Sequence, residues 1–144
     1  MTRRPHRPGY EGCYACGADA VGGLRVRVVG DGPDGLVANA RLGTSHQGAP
    51  GIAHGGIVAA VLDEVISLTL WRVLDRPCVT RRLEVDFLAP VPIGRDVELR
   101  AQCTETQGRK VRARAEALFD GQVRARADGL FIEVPEHHFT HHRG

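Results

Sequence analysis

The chain has 144 residues, 42% of them hydrophobic and 25% charged, with a formal net charge of +2. That length fits one domain whose core needs no disulfide or metal staple. The balanced charge argues against bulk attraction to nucleic acid or to a membrane surface, and no apolar run approaches a membrane span.

Residues 1–12, with their prolines and arginines, predict a flexible arm. No apolar segment follows this basic start, so a cytoplasmic location is expected. In that compartment Cys13, Cys16, Cys78 and Cys103 are expected as thiols. CYACGADAVGG (13–23) is rich in turn formers. LRVRVV (24–29) alternates apolar and charged residues, the pattern of a half-buried strand. GDGPDG (30–35) predicts a turn and LVANARL (36–42) the returning strand. GTSHQGAPGIAHGG (43–56) is a glycine-rich connection of a length that is usually functional or disordered. A helix is predicted from about Gly55 to about Leu74, apolar on nearly every face and therefore enclosed. PCVTRRLEVDFLAPVPIG (77–94) holds a strand over about 78–89, stopped by Pro90 and Pro92. DVELRAQCTETQ, RKVRARAEALFD and QVRARADGLFIEV then alternate with period two across short turns. Residues 135–144 form a flexible tail carrying His137, His138, His141 and His142, for which no physiological metal is expected. Two strands, one helix and four strands make an α+β domain over residues 13–134. Its curved antiparallel sheet of about six strands must wrap the one long central helix.

The chemistry concentrates in His54-Gly55-Gly56 and the acids Asp63-Glu64. A helix N-terminus presents unpaired N–H groups and the positive end of a dipole. Glycines there let a carbonyl oxygen or developing oxyanion approach closely. The plainer alternative is a helix start packed tightly on a strand. Carboxylates inside an apolar helix are rare unless paired or functional, and for Asp63 the plainer alternative is a buried hydrogen bond to backbone or to a threonine. Asp63 lies two turns after Gly55 and Gly56 on roughly the same face, whereas Glu64 is rotated by about 100° and is expected at a rim or beside an arginine. Eight helical residues rise about 12 Å. One helix therefore cannot bring the Gly55 N–H and the Asp63 carboxylate to a single carbonyl carbon, since each must lie within about 3 Å of the reacting atoms. If both act on one atom, they come from two copies of the chain, with antiparallel helices side by side.

Other motifs are weaker. Ser45 and Ser67 lack a G-x-S-x-G setting, Cys78 and Cys103 have no evident base, and no phosphate-loop, dinucleotide or H-E-x-x-H pattern occurs. Cys13-x-x-Cys16 is half of a zinc motif, and a structural turn is the favoured reading ahead of a zinc site or a redox pair. A zinc site would have to recruit Cys78, Cys103, His6 or His46 by folding or dimerisation, so no metal and no cofactor are expected.

HQGAPGIAHGGIVAAVLDE followed by PCVTRRLEVDFLAPVPIGRDVELRAQ resembles the hotdog-fold acyl-CoA thioesterases of the phenylacetyl-CoA and 4-hydroxybenzoyl-CoA type. CYACGADAVGGL is similar to the lead-in of mammalian thioesterase-superfamily relatives, so the likeness spans about residues 13–134. The resemblance implies an acyl-CoA substrate, with CoA as part of the substrate and not a cofactor, and a homodimer that pairs further into a dimer of dimers. It implies that the N–H of Gly55, helped by Gly56, polarises the thioester carbonyl. Asp63 of the other chain would act as nucleophile or general base, Thr80 would position the acid or the water, and His54 would shape the helix start. Relatives often carry Asn or Gln six residues before the HGG histidine. Here that residue is Gly48, which leaves Gln47 or His46 to contact substrate. CoA phosphates would be met by Arg81, Arg82 and the turn Gly108-Arg109-Lys110, with Glu64 at the substrate rim.

Two further readings share this fold. A non-catalytic acyl-CoA binding or regulatory module would bind without turnover, which the retained Asp63 and Thr80 argue against. A hotdog dehydratase would need a differently placed His/Asp pair.

Overall fold

The computed structural model describes residues 9–33 and 35–140. Most of the predicted arm, including His6, lies outside the described residues, as do Asp34, His141 and His142.

Six strands form one antiparallel sheet: β1 (Arg27–Gly32), β2 (Gly35–Arg41), β3 (Cys78–Phe87), β4 (Asp96–Gln107), β5 (Lys110–Phe119) and β6 (Gln122–Glu133). Their order is β1-β2-β4-β5-β6-β3, so β1 and β3 are the edges. Helix α1 (Gly55–Thr69) lies between β2 and β3 in the chain and continues as a π-helical segment, Leu70–Leu74. Asp75 stops it in the left-handed conformation, φ 51°. This is the expected hotdog architecture.

Intrinsic propensity does not account for α1. Ile57, Val58, Val61, Val65, Ile66 and Thr69 are β-branched and lose side-chain freedom in a helix. Enclosure holds it instead, because its buried side chains pack on β2 to β6. Leu62, Val65 and Ile66 are fully buried, each worth about 1.5–3 kcal/mol of apolar transfer. The sheet makes room with small residues: Ala101, Ala113, Ala115, Ala117, Ala125 and Ala127 line its inner face. Alanines opposite large helix residues let the two layers interdigitate at interior density.

Three departures from the pattern reading have local causes. The strand predicted from residue 24 begins at Arg27, because Leu24 and Val26 donate their N–H groups to the carbonyls of Tyr14 and Ala15 at 2.8 and 2.9 Å. The lead-in takes those donors before the sheet can. The predicted turn at 30–35 is mostly strand, since β1 runs through Gly32 with an irregularity between Val28 and Gly30. Strand β3 ends at Phe87, and Leu88 and Ala89 then bond to the Arg124 carbonyl outside the ladder.

The long connection before α1 is ordered by its own pairing. It contains a 3-10 turn, Thr44–His46, a bridge between Gln47 and Ala53, and another between Ile52 and Pro92. His137 and His138 lie in a short 3-10 turn, Glu136–His138.

Candidate active site

His54 sets the start of α1. Its backbone is extended (φ −60°, ψ 139°) and its Nδ1 accepts the Gly56 N–H at 2.9 Å. The N–H groups of Ile57 and Val58 go to the His54 carbonyl, at 2.9 and 3.0 Å. The Gly55 N–H is then left without a protein partner among the described residues, and Gly55 is exposed.

The two glycines differ in what they permit. A Cβ at Gly56 would crowd the capping imidazole, 3.1 Å from Nδ1. A Cβ at Gly55 would meet only the Phe87 ring at 3.6 Å, an ordinary contact. Tight packing is thus a reason for glycine at position 56 and not at position 55. Beside Gly55 lies a shallow, mostly apolar hollow of about 410 Å³, lined by Ile52, Val58, Phe87, Leu88 and Pro90 among others. Phe87 and Leu88 are 57% and 52% exposed.

Asp63 is half-buried in the middle of α1 and accepts a hydrogen bond from Thr80 Oγ1 at 2.7 Å. No other hydrogen bond reaches Asp63 among the described residues, so its second oxygen is available. A bulge in β3 makes this contact. The register against β6 shifts between Thr80 and Arg82, leaving Arg81 as the extra residue. Strand side chains alternate faces, so Thr80 and Leu83 would otherwise point oppositely. One inserted residue puts both on the side of the helix.

Gly55 neighbours Phe87 at one end of β3, and Asp63 neighbours Thr80 towards the other. Both groups belong to one helix, and the eight residues from Gly55 to Asp63 rise about 12 Å. Within one chain the free N–H and the carboxylate are far apart.

The remaining expected site residues are placed as follows. His46 is buried, Nδ1 accepting from the Gly43 N–H at 3.0 Å and Nε2 donating to the Gly22 carbonyl at 2.6 Å. With both nitrogens taken, the ring buttresses the loop before α1. Gln47 is exposed and its Oε1 accepts from the Gly51 N–H at 3.2 Å. Gly48 packs on His54, where a Cβ would sit 3.2 Å from the histidine Cα. That contact is tight, and a side chain at position 48 would require His54 to shift by a few tenths of an ångström. Arg81 and Arg82 are exposed, Arg82 lying 3.8 Å from Glu84. Gly108 and Arg109 form the β4–β5 turn, and Arg109 Nε donates to the Glu133 carbonyl at 3.0 Å. Lys110 and Val79 both pair with Ile132, so this turn and the two arginines share the Thr80 end of the sheet.

Glu64 is not at a rim. It is buried, on the other side of α1, against Cys13 and Cys16. Burial pushes the Cys16 thiol well above the usual range; the Glu64 charge and a hydrogen bond to Glu64 push it the same way, with Cys13 adding to the effect. Sequence spacing could not reveal this contact, because residues 13–16 meet α1 only through folding.

The model of the Thioesterase superfamily matches residues 50–124, just over half of the chain, and the chain belongs to that family. It is 30% identical over 90 residues to the acyl-coenzyme A thioesterase THEM4 of Bos taurus, a match covering 61% of this chain and 36% of that protein. The chain thus spans little more than a third of the curated relatives it matches. Among solved structures, a thioesterase superfamily protein superposes with a TM-score of 0.78 at 25% identity, covering 85% of this chain and 61% of that one. A mutant of the phenylacetic acid degradation protein PaaI from Thermus thermophilus gives 0.68 at 25% identity, covering 76% and 93%. No helix among the described residues is long and apolar enough to cross a membrane.

Proposed function

We propose that this chain hydrolyses an acyl-coenzyme A thioester to the carboxylic acid and CoA. The observation that carries the reading is the 2.7 Å bond from Thr80 Oγ1 to Asp63, an acid held with one oxygen to spare on the half-exposed side of a mostly apolar helix. In the reaction the Gly55 N–H of one protomer donates to the thioester carbonyl oxygen. Asp63 of the other protomer takes a proton from water as the water oxygen attacks the carbonyl carbon. The negative charge on the tetrahedral oxygen is met at the helix N-terminus. Collapse breaks the C–S bond, and the CoA thiolate leaves with the proton that Asp63 returns. In the covalent variant the Asp63 carboxylate attacks directly, the C–S bond breaks to release CoA thiolate, and water cleaves the resulting anhydride to the acid and free Asp63, its proton going to the thiolate. Retention of label from ¹⁸O-water in the Asp63 carboxylate distinguishes the two.

Several features support pairing of two copies. Strand β3 is a sheet edge, the apolar side chains of Phe87 and Leu88 stand exposed beside Gly55, and the two reactive groups are too far apart on one chain. The half-exposed stripe of α1 (Ala60, Asp63 and Ser67) is made of short side chains, which lets a second helix lie close. Arg81, Arg82 and the turn of Gly108, Arg109 and Lys110 offer donors for the CoA phosphates. The acyl group would occupy the hollow beside Phe87.

The test is thiol release from short, long and aromatic acyl-CoAs by wild type and Asp63→Asn. Hydrolysis of at least one class by wild type, with a loss of about 10²–10⁴ in kcat for the variant, is expected. Binding of acyl-CoA without turnover would instead make the chain a binding module.

A further inference from the structure

Cys13, Cys16 and Glu64 form a cluster that hydrolysis does not use. The two sulfurs and a Glu64 carboxylate oxygen all lie within 4.8 Å of one another. Glu64 is only 8% exposed, and its Oε1 has no hydrogen-bond partner among the described residues. A buried carboxylate oxygen without a donor or cation is strongly unfavourable. Thiols are weak donors and compensate it poorly.

The backbone around the cysteines is built for ligation. The Gly17 N–H donates to the Cys13 carbonyl at 2.8 Å, closing the turn so that both sulfurs face α1. A Cβ at Gly17 would come within 2.3 Å of the Glu11 carbonyl oxygen and 2.6 Å of the Cys13 nitrogen, so the turn admits only glycine there. Bonds from Leu24 and Val26 to Tyr14 and Ala15 anchor it to the body of the domain.

We propose that Cys13, Cys16 and Glu64 bind a zinc-class divalent cation that ties the N-terminal turn to α1. Tetrahedral zinc takes thiolate sulfur at about 2.3 Å and carboxylate oxygen at about 2.0–2.2 Å, which sets ligand atoms roughly 3.5–3.8 Å apart. A contraction of about 1 Å, within the range of side-chain rotation, closes the cluster on the ion. Of the three ligands Cys16 also lines a cleft of about 530 Å³, together with Arg25, Arg27 and Arg41, through which water would reach the ion as fourth ligand. Three anionic ligands around a dication leave one excess negative charge, and the cleft beside Cys16 is lined by the cationic Arg25 and Arg27. A Cys13–Cys16 disulfide fits less well, because it would remove the thiol donors facing Glu64 and leave the buried acid with nothing.

The test uses the reduced 144-residue chain stripped with a chelator and titrated with Co²⁺, then Zn²⁺. One Co²⁺ per chain is expected, with thiolate-to-cobalt charge-transfer absorption that Zn²⁺ abolishes by displacement. Cys13→Ser and Cys16→Ser should each weaken that absorption. Glu64→Gln should keep it but lower affinity by about tenfold or more, while Cys78→Ser and Cys103→Ser leave it unchanged. Circular dichroism identifies the folded variants. If Glu64→Gln does not fold, wild-type stoichiometry and the partly exposed Cys13→Ser decide the matter. Absence of stoichiometric binding to the reduced wild type overturns the proposal, as does binding that survives the double cysteine substitution. An isolated disulfide form that takes no metal once reduced overturns it equally.

Discussion

Asp63 and Glu64 are adjacent in sequence and opposite in circumstance. Asp63 sits on the open side of α1, half-exposed, with one hydroxyl donor and one spare oxygen. Glu64 points into the domain, buried against two thiols. A rotation of about 100° between consecutive helical residues separates these environments. The same chemical group can therefore serve chemistry on one side of the helix and architecture on the other, and the neighbours brought by folding decide which.

The sharpest way to break this contrast is to neutralise each acid in turn. Asp63→Asn should reduce kcat by about 10²–10⁴ with little change in melting temperature. Glu64→Gln should show chiefly in melting temperature and metal affinity, with a far smaller loss of turnover. Equal losses of turnover for the two would erase the division. Next in size, Gly55→Pro removes the proposed oxyanion donor at a position where proline is tolerated. The extended backbone of His54 (φ −60°, ψ 139°) suits a residue before proline. Its expected cost is about 10²–10³ in kcat with the helix retained by circular dichroism. Thr80→Val should cost about 10–100-fold, the value of one hydrogen bond to a charged group. A rate unchanged in Thr80→Val would show that Asp63 needs no positioning. Smallest is His54→Ala, which removes the cap on Gly56 and should lower stability by about 1 kcal/mol in denaturant unfolding.

Much of this was legible in the sequence, for physical reasons. The apolar run after His54-Gly55-Gly56 and the period-two segments after residue 95 specify burial locally, and the helix and central strands follow them. The separation of Gly55 from Asp63 is helical geometry and needs no structure. Long-range placement was not legible. The burial of His46 depends on the Gly22 carbonyl, 24 residues away. Glu64 met the cysteines through a lead-in whose position depends on backbone bonds to Leu24 and Val26. The bulge at Arg81 is a matter of register against β6, which alternation along β3 alone does not reveal.

The central claim is that one chain cannot complete the reactive site. Mixing tests it directly. Asp63→Asn and Gly55→Pro chains, each nearly inactive alone, are unfolded, combined in equal amounts and refolded, and thioester hydrolysis is measured. Random pairing makes half of the dimers mixed, and each mixed dimer holds one intact site of two, so about a quarter of wild-type activity should return. Activity no greater than the average of the two parents, with mixed dimers shown to be present, would contradict a site built from two chains.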